Sequence, residues 1–321
     1  MAPVMGVGTS LEKRNARGRV KAIKRLWWVA GVLVVVAAFG FWARPVSYFN
    51  EALYVRERIS GVENRSVQVA GHCVHYLARG PAGGPVVVLV HGLGGQAEDW
   101  LNLAPYLVKA GYRVVLPDLP GYGRSEQPGD FSYSVHDEAE VVVGFLDALG
   151  LKQADLGGWS MGGWIVQLVA GRHPERVRRL VIFDSAGLYK MPDWDVWLFM
   201  PQTPEELKHL DALLMPNPPW VPGFIAQDIL RVSMRRDWIT HRALDAMLTG
   251  HDATDQLLPQ LKMPVLLVWG AEDHITPLNM GQTIHRLIPQ SQLEVIAGCG
   301  HLAPSQCTAQ IGPKVVAFVK R

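Results

Sequence analysis

Short apolar runs alternate with longer amphipathic stretches through most of this chain. Runs at Ser66–Ala70, Cys73–Ala78, Val86–Val90, Val114–Pro117, Ala154–Gly157, Leu180–Phe183, Val265–Trp269 and Gln292–Ile296 read as strands by length and side-chain type. Between them, helical spacing covers about 99–110, 136–149, 161–173, 278–288 and 308–320. The alternation from Val86 onward predicts an α/β fold, a mostly parallel eight-stranded sheet covered by helices on both faces. The first two runs, parted only by Gly71 and His72, read as an antiparallel hairpin on its edge. In open sheets of this kind ligands bind beyond the carboxyl ends of the strands, so the residues just after each run carry the chemistry.

Two segments break the rhythm. Residues 186–262 are far too long for one crossover and are rich in large apolar side chains, among them Trp194, Trp197, Phe199, Met215, Trp220 and Phe224. Within them Thr203-Pro204-Glu205-Glu206 has the form of a helix start, with Thr203 as N-cap and Glu206 closing a capping box. A helical subdomain with its own small core accounts for many of these residues; a lid whose inner face shapes a substrate pocket is the compatible functional reading. The second segment, Leu26–Ala43, has 18 residues without a charge and tryptophans near both ends. At about 1.5 Å per residue it spans roughly 27 Å, enough for one transmembrane helix. A cleaved signal peptide is the alternative, although the run exceeds the usual apolar length of about 7–15 residues.

Charge orients that helix. Of the 31 Lys and Arg, seven lie in residues 1–25 against a single Glu12, leaving 24 basic and 28 acidic residues for the rest. The division expected is a basic cytoplasmic segment (1–25), a membrane helix (26–43), a linker (44–64) and a folded domain (65–321) on the extracytoplasmic side. A net charge of −4 beyond residue 25 argues against nucleic acid as a partner. Cys73, Cys299 and Cys307 show no metal-ligand spacing and give no disulfide framework, a Cys299–Cys307 bridge being open only to an oxidising compartment.

The strongest chemical signal is Gly158-Trp159-Ser160-Met161-Gly162, set between a strand and a helix. The glycines permit a turn tight enough to expose a serine at the sheet edge. A serine hydroxyl needs a general base, itself oriented by an acid. Asp273 follows one strand in WGAEDHITP, and His301 follows the last in GCGHLAP, so nucleophile, acid and base stand in chain order at three strand ends. Asp184 and Glu272 are the competing acids. Oxyanion donors are expected from the backbone N–H groups of Met161 and of Leu93 in His91-Gly92-Leu93-Gly94-Gly95, with Gly92 and Trp159 as substrate contacts and His91 as a structural loop residue.

HGLGG, DLPGYGRS, GWSMGG, WGAEDHITP and GCGH, in this order and spacing, resemble the α/β-hydrolase superfamily over about residues 65–320. SMGG, FDSAGL, TPEEL and NPPWVP further resemble bacterial membrane-associated lipases and N-terminally anchored monoacylglycerol lipases. Where many relatives carry an acidic residue a few positions beyond the catalytic histidine, this chain has Ser305-Gln306-Cys307. The resemblance implies carboxylester hydrolysis with Ser160 as nucleophile, His301 as base and Asp273 as acid, needing no cofactor or metal, on monoacylglycerol or a similar lipid ester. General short-chain or aryl esters and the carbon–carbon bonds of ring-fission products would suit the same residues. Outside that class stand a non-catalytic binding module and an NAD-dependent oxidoreductase, since Gly92–Ala97 formally matches G-x-G-x-x-A with Asp118 about twenty residues on.

Overall fold

A computed structural model of the chain describes residues 8–321, with side chains from residue 24 onward. Residues 1–7 of the basic segment, and the side chains of its first five basic residues, lie outside the described part. The chain runs α1 (Gly8–Ala43), α2 (Pro45–Ile59), β1 (Glu63–Val69), β2 (His72–Arg79), β3 (Val86–Val90), α3 (Ala104–Lys109), β4 (Arg113–Pro117), α4 (Val135–Ala148), β5 (Ala154–Trp159), α5 (Met161–Arg172) and β6 (Val177–Phe183). It continues with α6 (Pro204–Leu214), α7 (Gly223–Ser233), α8 (Asp237–Leu248), β7 (Val265–Gly270), α9 (Leu278–Leu287), β8 (Gln292–Ile296), α10 (Ala303–Gln306) and α11 (Thr308–Val319).

The eight strands form one sheet in the order β1-β2-β4-β3-β5-β6-β7-β8. β1 and β2 make the expected edge hairpin, β2 pairs antiparallel with β4, and all later pairs are parallel. Val86–Val90 and Val265–Gly270 are almost uniformly apolar because both faces of a central parallel strand are covered. On one face α4, α5 and α9 pack around Phe145, Ile165 and Ile284; on the other α3 and α11 pack around Trp100, Leu107 and Phe318. β6 begins earlier than the apolar run suggests. Arg178 and Arg179 belong to it, and Arg178 donates twice, at 2.8 and 2.7 Å, to Asp155 on the neighbouring β5.

Between β6 and β7 the chain makes the long excursion, with α6, α7 and α8 and a small core of Leu207, Ala226 and Leu230. Thr203 caps α6 by accepting from Glu206 N at 3.2 Å, but the Glu206 carboxylate reaches back to Gln202 N, one residue beyond the expected capping box.

Two expectations are corrected. Residues 45–59, read as linker, are the helix α2, docked on the domain: Glu57 is buried and accepts from Arg124 at 2.6 Å, and Val46 N–H donates to Asp228 of α7 at 2.9 Å. Cys299 and Cys307 are disulfide-bonded, because the turn through α10 folds back and brings their Cα atoms to 6.4 Å. Cys73 is the free thiol. The apolar end of α1 forms a long span, Lys24–Ala43, in which no residue is buried, its Phe41 ring meeting Phe224 of α7 at the end nearest the domain.

Candidate active site

The site forms where β5, β7 and β8 end on the same edge of the sheet. Ser160 stands between β5 and α5 at φ 57°, ψ −119°, a backbone conformation rarely adopted by a side-chain-bearing residue. Its N–H donates to Phe183 O at 3.0 Å and its carbonyl accepts from Trp164 N at 3.2 Å, so both neighbouring elements hold the strained turn in place. The glycines around it are steric requirements. A Cβ on Gly158 would overlap the Gly162 carbonyl, and a Cβ on Gly162 would overlap the Val90 and His91 carbonyls. We expect Gly162→Ala to lower stability by about 3 kcal/mol or more, since backbone must move to admit the methyl group, measured as a fall in the urea midpoint.

His301 lies in the loop after β8, 2 % exposed, with Nε2 2.9 Å from Ser160 Oγ and Nδ1 2.9 Å from Asp273 Oδ2. Asp273 lies in the loop after β7. Its Oδ1 accepts from the N–H groups of Ile275 (2.8 Å) and Thr276 (2.9 Å), and its Oδ2 accepts from Thr276 Oγ1 at 2.7 Å. The three residues, distant in sequence, therefore form one buried hydrogen-bonded chain.

The competing acids occupy other positions. Glu272 has an exposed side chain. Asp184 is fully buried after β6, accepts from Gly270 N at 2.6 Å, and makes no hydrogen bond to His301. Burial, then the Asp273 charge beside it, push its carboxyl well above the usual range, which favours its protonated form.

His91 is buried behind the glycine loop. Leu119 N–H donates to its Nε2 at 3.0 Å, so Nδ1 carries the proton and donates to Gly92 O at 2.8 Å. Burial lowers its pKa and keeps it neutral, as befits a loop strut. Gly92 approaches so closely that a Cβ would lie 3.0 Å from Ser160 Cβ. Met161 opens α5, where the first amides have no intrahelical acceptor, and the Leu93 side chain lines the adjoining cavity.

Trp159, expected among the substrate contacts, is turned the other way. Its Nε1 donates to His301 O at 2.8 Å and its ring lies 5.8 Å from the imidazole, so it supports the histidine loop from beneath. Thr276 and Trp164 are the residues that the sequence reading passed over. Thr276 had a signal, its position three residues after Asp273 in DHITP; Trp164 is indistinguishable by pattern from any core residue of α5.

A cavity of about 190 Å³ opens beside Ser160. Leu93, Trp164, Trp194, Phe199, Met247 and Met280 dominate its wall, and much of the lining comes from the excursion between β6 and β7. Lys190 is the one cationic residue in that lining.

The glycine loop does not suit a dinucleotide. Asp99 Oδ2 already accepts from Gln96 N at 2.9 Å, Asp118 Oδ1 accepts from Ala97 N at 2.6 Å, and a four-residue 3₁₀ turn, Ala97–Trp100, stands where a helix would receive a pyrophosphate. Carboxylates hold the amides that a phosphate would need.

The model for the alpha/beta hydrolase fold family matches residues 85–250 and 248–306. The 2-hydroxymuconate semialdehyde hydrolase of Pseudomonas sp. (strain CF600) is 34% identical over 253 residues, covering 74% of this chain and 87% of that protein. Lipase 1 of Psychrobacter immobilis is 27% identical over 292 residues, covering 86% of this chain and 90% of that protein. Among solved structures, a membrane phospholipase A, a bacterial virulence factor, superposes with a TM-score of 0.78 at 28% identity, over 92% of this chain and 98% of that one. Sheet order, serine turn and these similarities lead to one placement: the chain belongs to the α/β-hydrolase fold family and is a hydrolase.

Proposed function

We propose that this protein is a membrane-anchored serine ester hydrolase that cleaves lipid-like esters, such as monoacylglycerol, through an acyl-enzyme. One observation carries the reading: the hydrogen-bonded chain from Asp273 through His301 to Ser160 opens onto an apolar cavity. In the proposed mechanism His301 Nε2 takes the Ser160 proton as Oγ attacks the ester carbonyl. Asp273 holds the ring so that Nε2 faces the serine, and stabilises its positive charge. The backbone amides of Leu93 and Met161 receive the oxyanion. The alcohol leaves with the proton from His301, and water then attacks the acyl-enzyme with His301 again as base.

The membrane part of the reading is supported by the unburied apolar span and by basic residues placed before it. The Cys299–Cys307 bridge is in keeping with a domain on the oxidising, extracytoplasmic side. The segment lining the cavity between β6 and β7 acts in this reading as a lid.

The relative in ring-fission chemistry supports a second reading, carbon–carbon bond hydrolysis by the same three residues. Another relative of that group acts on dioates, which carry two carboxylates. With Lys190 as its one cation, the cavity wall suits an uncharged acyl chain better.

Initial rates of the purified full chain on esters graded from short aryl esters to long-chain monoacylglycerol test the reading. Rates rising toward long-chain glycerol esters are expected; a preference for short aryl esters makes it a general esterase, and turnover of 2-hydroxy-6-oxo-dienoates alone moves it to the second reading. Thr276 is a positioning residue in this scheme, fixing the carboxylate oxygen that His301 uses. Thr276→Val should lower kcat about tenfold with KM unchanged, the worth of one hydrogen bond to a charged acceptor, and Thr276→Ser should restore it. Equal loss in the valine and serine variants would show packing at work instead.

A further inference from the structure

We propose that α2 lies in the plane of the lipid surface, with its outward face embedded among headgroups and upper acyl chains, and that it fixes the lid helix α7 to that surface. The inference rests on the membrane-anchored reading above. α2 has two unlike faces. Inward, Val46, Leu53, Tyr54 and Glu57 meet the domain: Arg124 sits 4.2 Å over the Tyr54 ring and donates to Glu57, and also to Glu98 beyond it. Outward, Tyr48, Ala52, Val55 and Ile59 recur at helical spacing along one exposed stripe, widened by Phe49. Phe49 is 64%, Val55 54% and Ile59 79% exposed, and among the described residues none covers them.

A helix docked on a soluble domain ordinarily turns polar residues outward. This one turns apolar residues outward, which calls for a second apolar medium. The chain itself indicates which. The unburied span ends at Ala43 and α2 begins at Pro45, so at about 1.5 Å per residue its first turn lies within a few ångströms of the membrane boundary. Exposed Arg44, Arg56 and Arg58 flank the stripe against a single exposed acid, Glu51, the pattern of a helix resting among anionic headgroups.

The same junction holds α7. Asp228 accepts from Val46 N–H at 2.9 Å and lies 3.9 Å from the Arg44 guanidinium, while the Phe41 and Phe224 rings meet edge to face at 6.2 Å. α7 itself does not line the cavity, but it belongs to the excursion whose residues 186–199 and 244–250 do; that excursion is thus held to the part of the chain that meets lipid, and a long-chain ester need not leave the interface completely to reach Ser160.

Single cysteines at positions 34, 49, 55, 59 and 208, each in the full chain on a Cys73→Ser background, would carry an environment-sensitive fluorophore. The labelled proteins are reconstituted into phosphatidylcholine–phosphatidylglycerol vesicles holding lipids with shallow or deep nitroxide quenchers. We expect the α1 label at 34 to respond to deep quenchers, the α2 labels at 49, 55 and 59 to shallow ones, and the label at 208 on α6 to neither. Unquenched α2 labels with a quenched label at 34 would overturn the proposal while leaving the anchor intact; no quenching at 34 would overturn both. Unquenched α2 labels, with the unlabelled cysteines at the same positions cross-linking between copies, would assign the stripe to a second copy of the chain. The pair Phe49→Asp and Ile59→Asp together should lower hydrolysis of vesicle-embedded long-chain ester about tenfold, leaving turnover of a soluble short-chain ester unchanged. Equal loss on both substrates, or none on either, would overturn the role in substrate access.

Discussion

Replacing Ser160 by alanine should lower kcat by about 10⁶ while leaving the fold and the cavity in place, as loss of the nucleophile does in other serine hydrolases. The reason is specific to how the residue is held. The left-handed backbone at Ser160 is enforced by Phe183 O, Trp164 N and the packed glycines, none of which involves the hydroxyl. Alanine therefore inherits the same turn and the same strain, and only Oγ is lost. Its removal deletes the hydrogen bond to His301 Nε2 and, in the proposed mechanism, the group from which that nitrogen takes a proton. In the proposed reading substrate binding depends on the apolar wall, so KM should change little while kcat collapses. Full progress curves, together with labelling by a fluorophosphonate that modifies the wild-type serine and leaves the alanine variant unlabelled, check this. Ester turnover persisting in the variant at more than a hundredth of the wild-type rate would remove Ser160 from the nucleophile's role, and with it the proposed acyl-enzyme.

The strands were legible because burial on both faces leaves apolar runs that nothing else explains, and because a turn at Gly71 parts the first two. Misreadings came where polar residues are satisfied by partners distant in sequence. Arg178 and Arg179 look like loop until Asp155 supplies their acceptors. α2 looks like linker because it is apolar outward as well as inward, so no single stripe marks it, and because Glu57 is buried only by virtue of Arg124 in a distant loop. The members of the site were named by their places after successive strands. What pattern does not encode is direction: Trp159 turns away from the cavity to hold the histidine loop, and Thr276 turns toward the acid. Asp273 was preferred over Asp184 by its place in WGAEDHITP alone; both follow strands and both become buried, and what separates them in the structure is the hydrogen bond of Asp273 to His301.

That choice carries the second large effect: Asp273→Asn should lower kcat by about 10⁴, whereas Asp184→Asn should cost less than about tenfold. Asp273 receives four donors, from Ile275 N, Thr276 N, Thr276 Oγ1 and His301 Nδ1. An asparagine amide turned toward the histidine would present N–H to N–H, so the imidazole would flip its tautomer and offer Ser160 a proton instead of a lone pair. The pKa of Asp184 is pushed up, first by burial and then by the charge on Asp273, which favours its neutral form, and it accepts one hydrogen bond from Gly270 N. Asparagine matches a protonated carboxyl in shape and can still accept that bond. The two variants also separate in their pH dependence of stability. A carboxyl whose pKa is raised on folding binds its proton more tightly in the native state, so its stabilisation is complete at low pH and declines as pH rises above the unfolded carboxylate range. Asp184→Asn should therefore flatten the fall in urea midpoint between pH 5 and pH 8, a change readable without any substrate. A loss of about 10⁴ in the Asp184 variant, with Asp273→Asn nearly unaffected, would transfer the acid's role to the residue after β6 and require His301 to pivot toward it during the reaction.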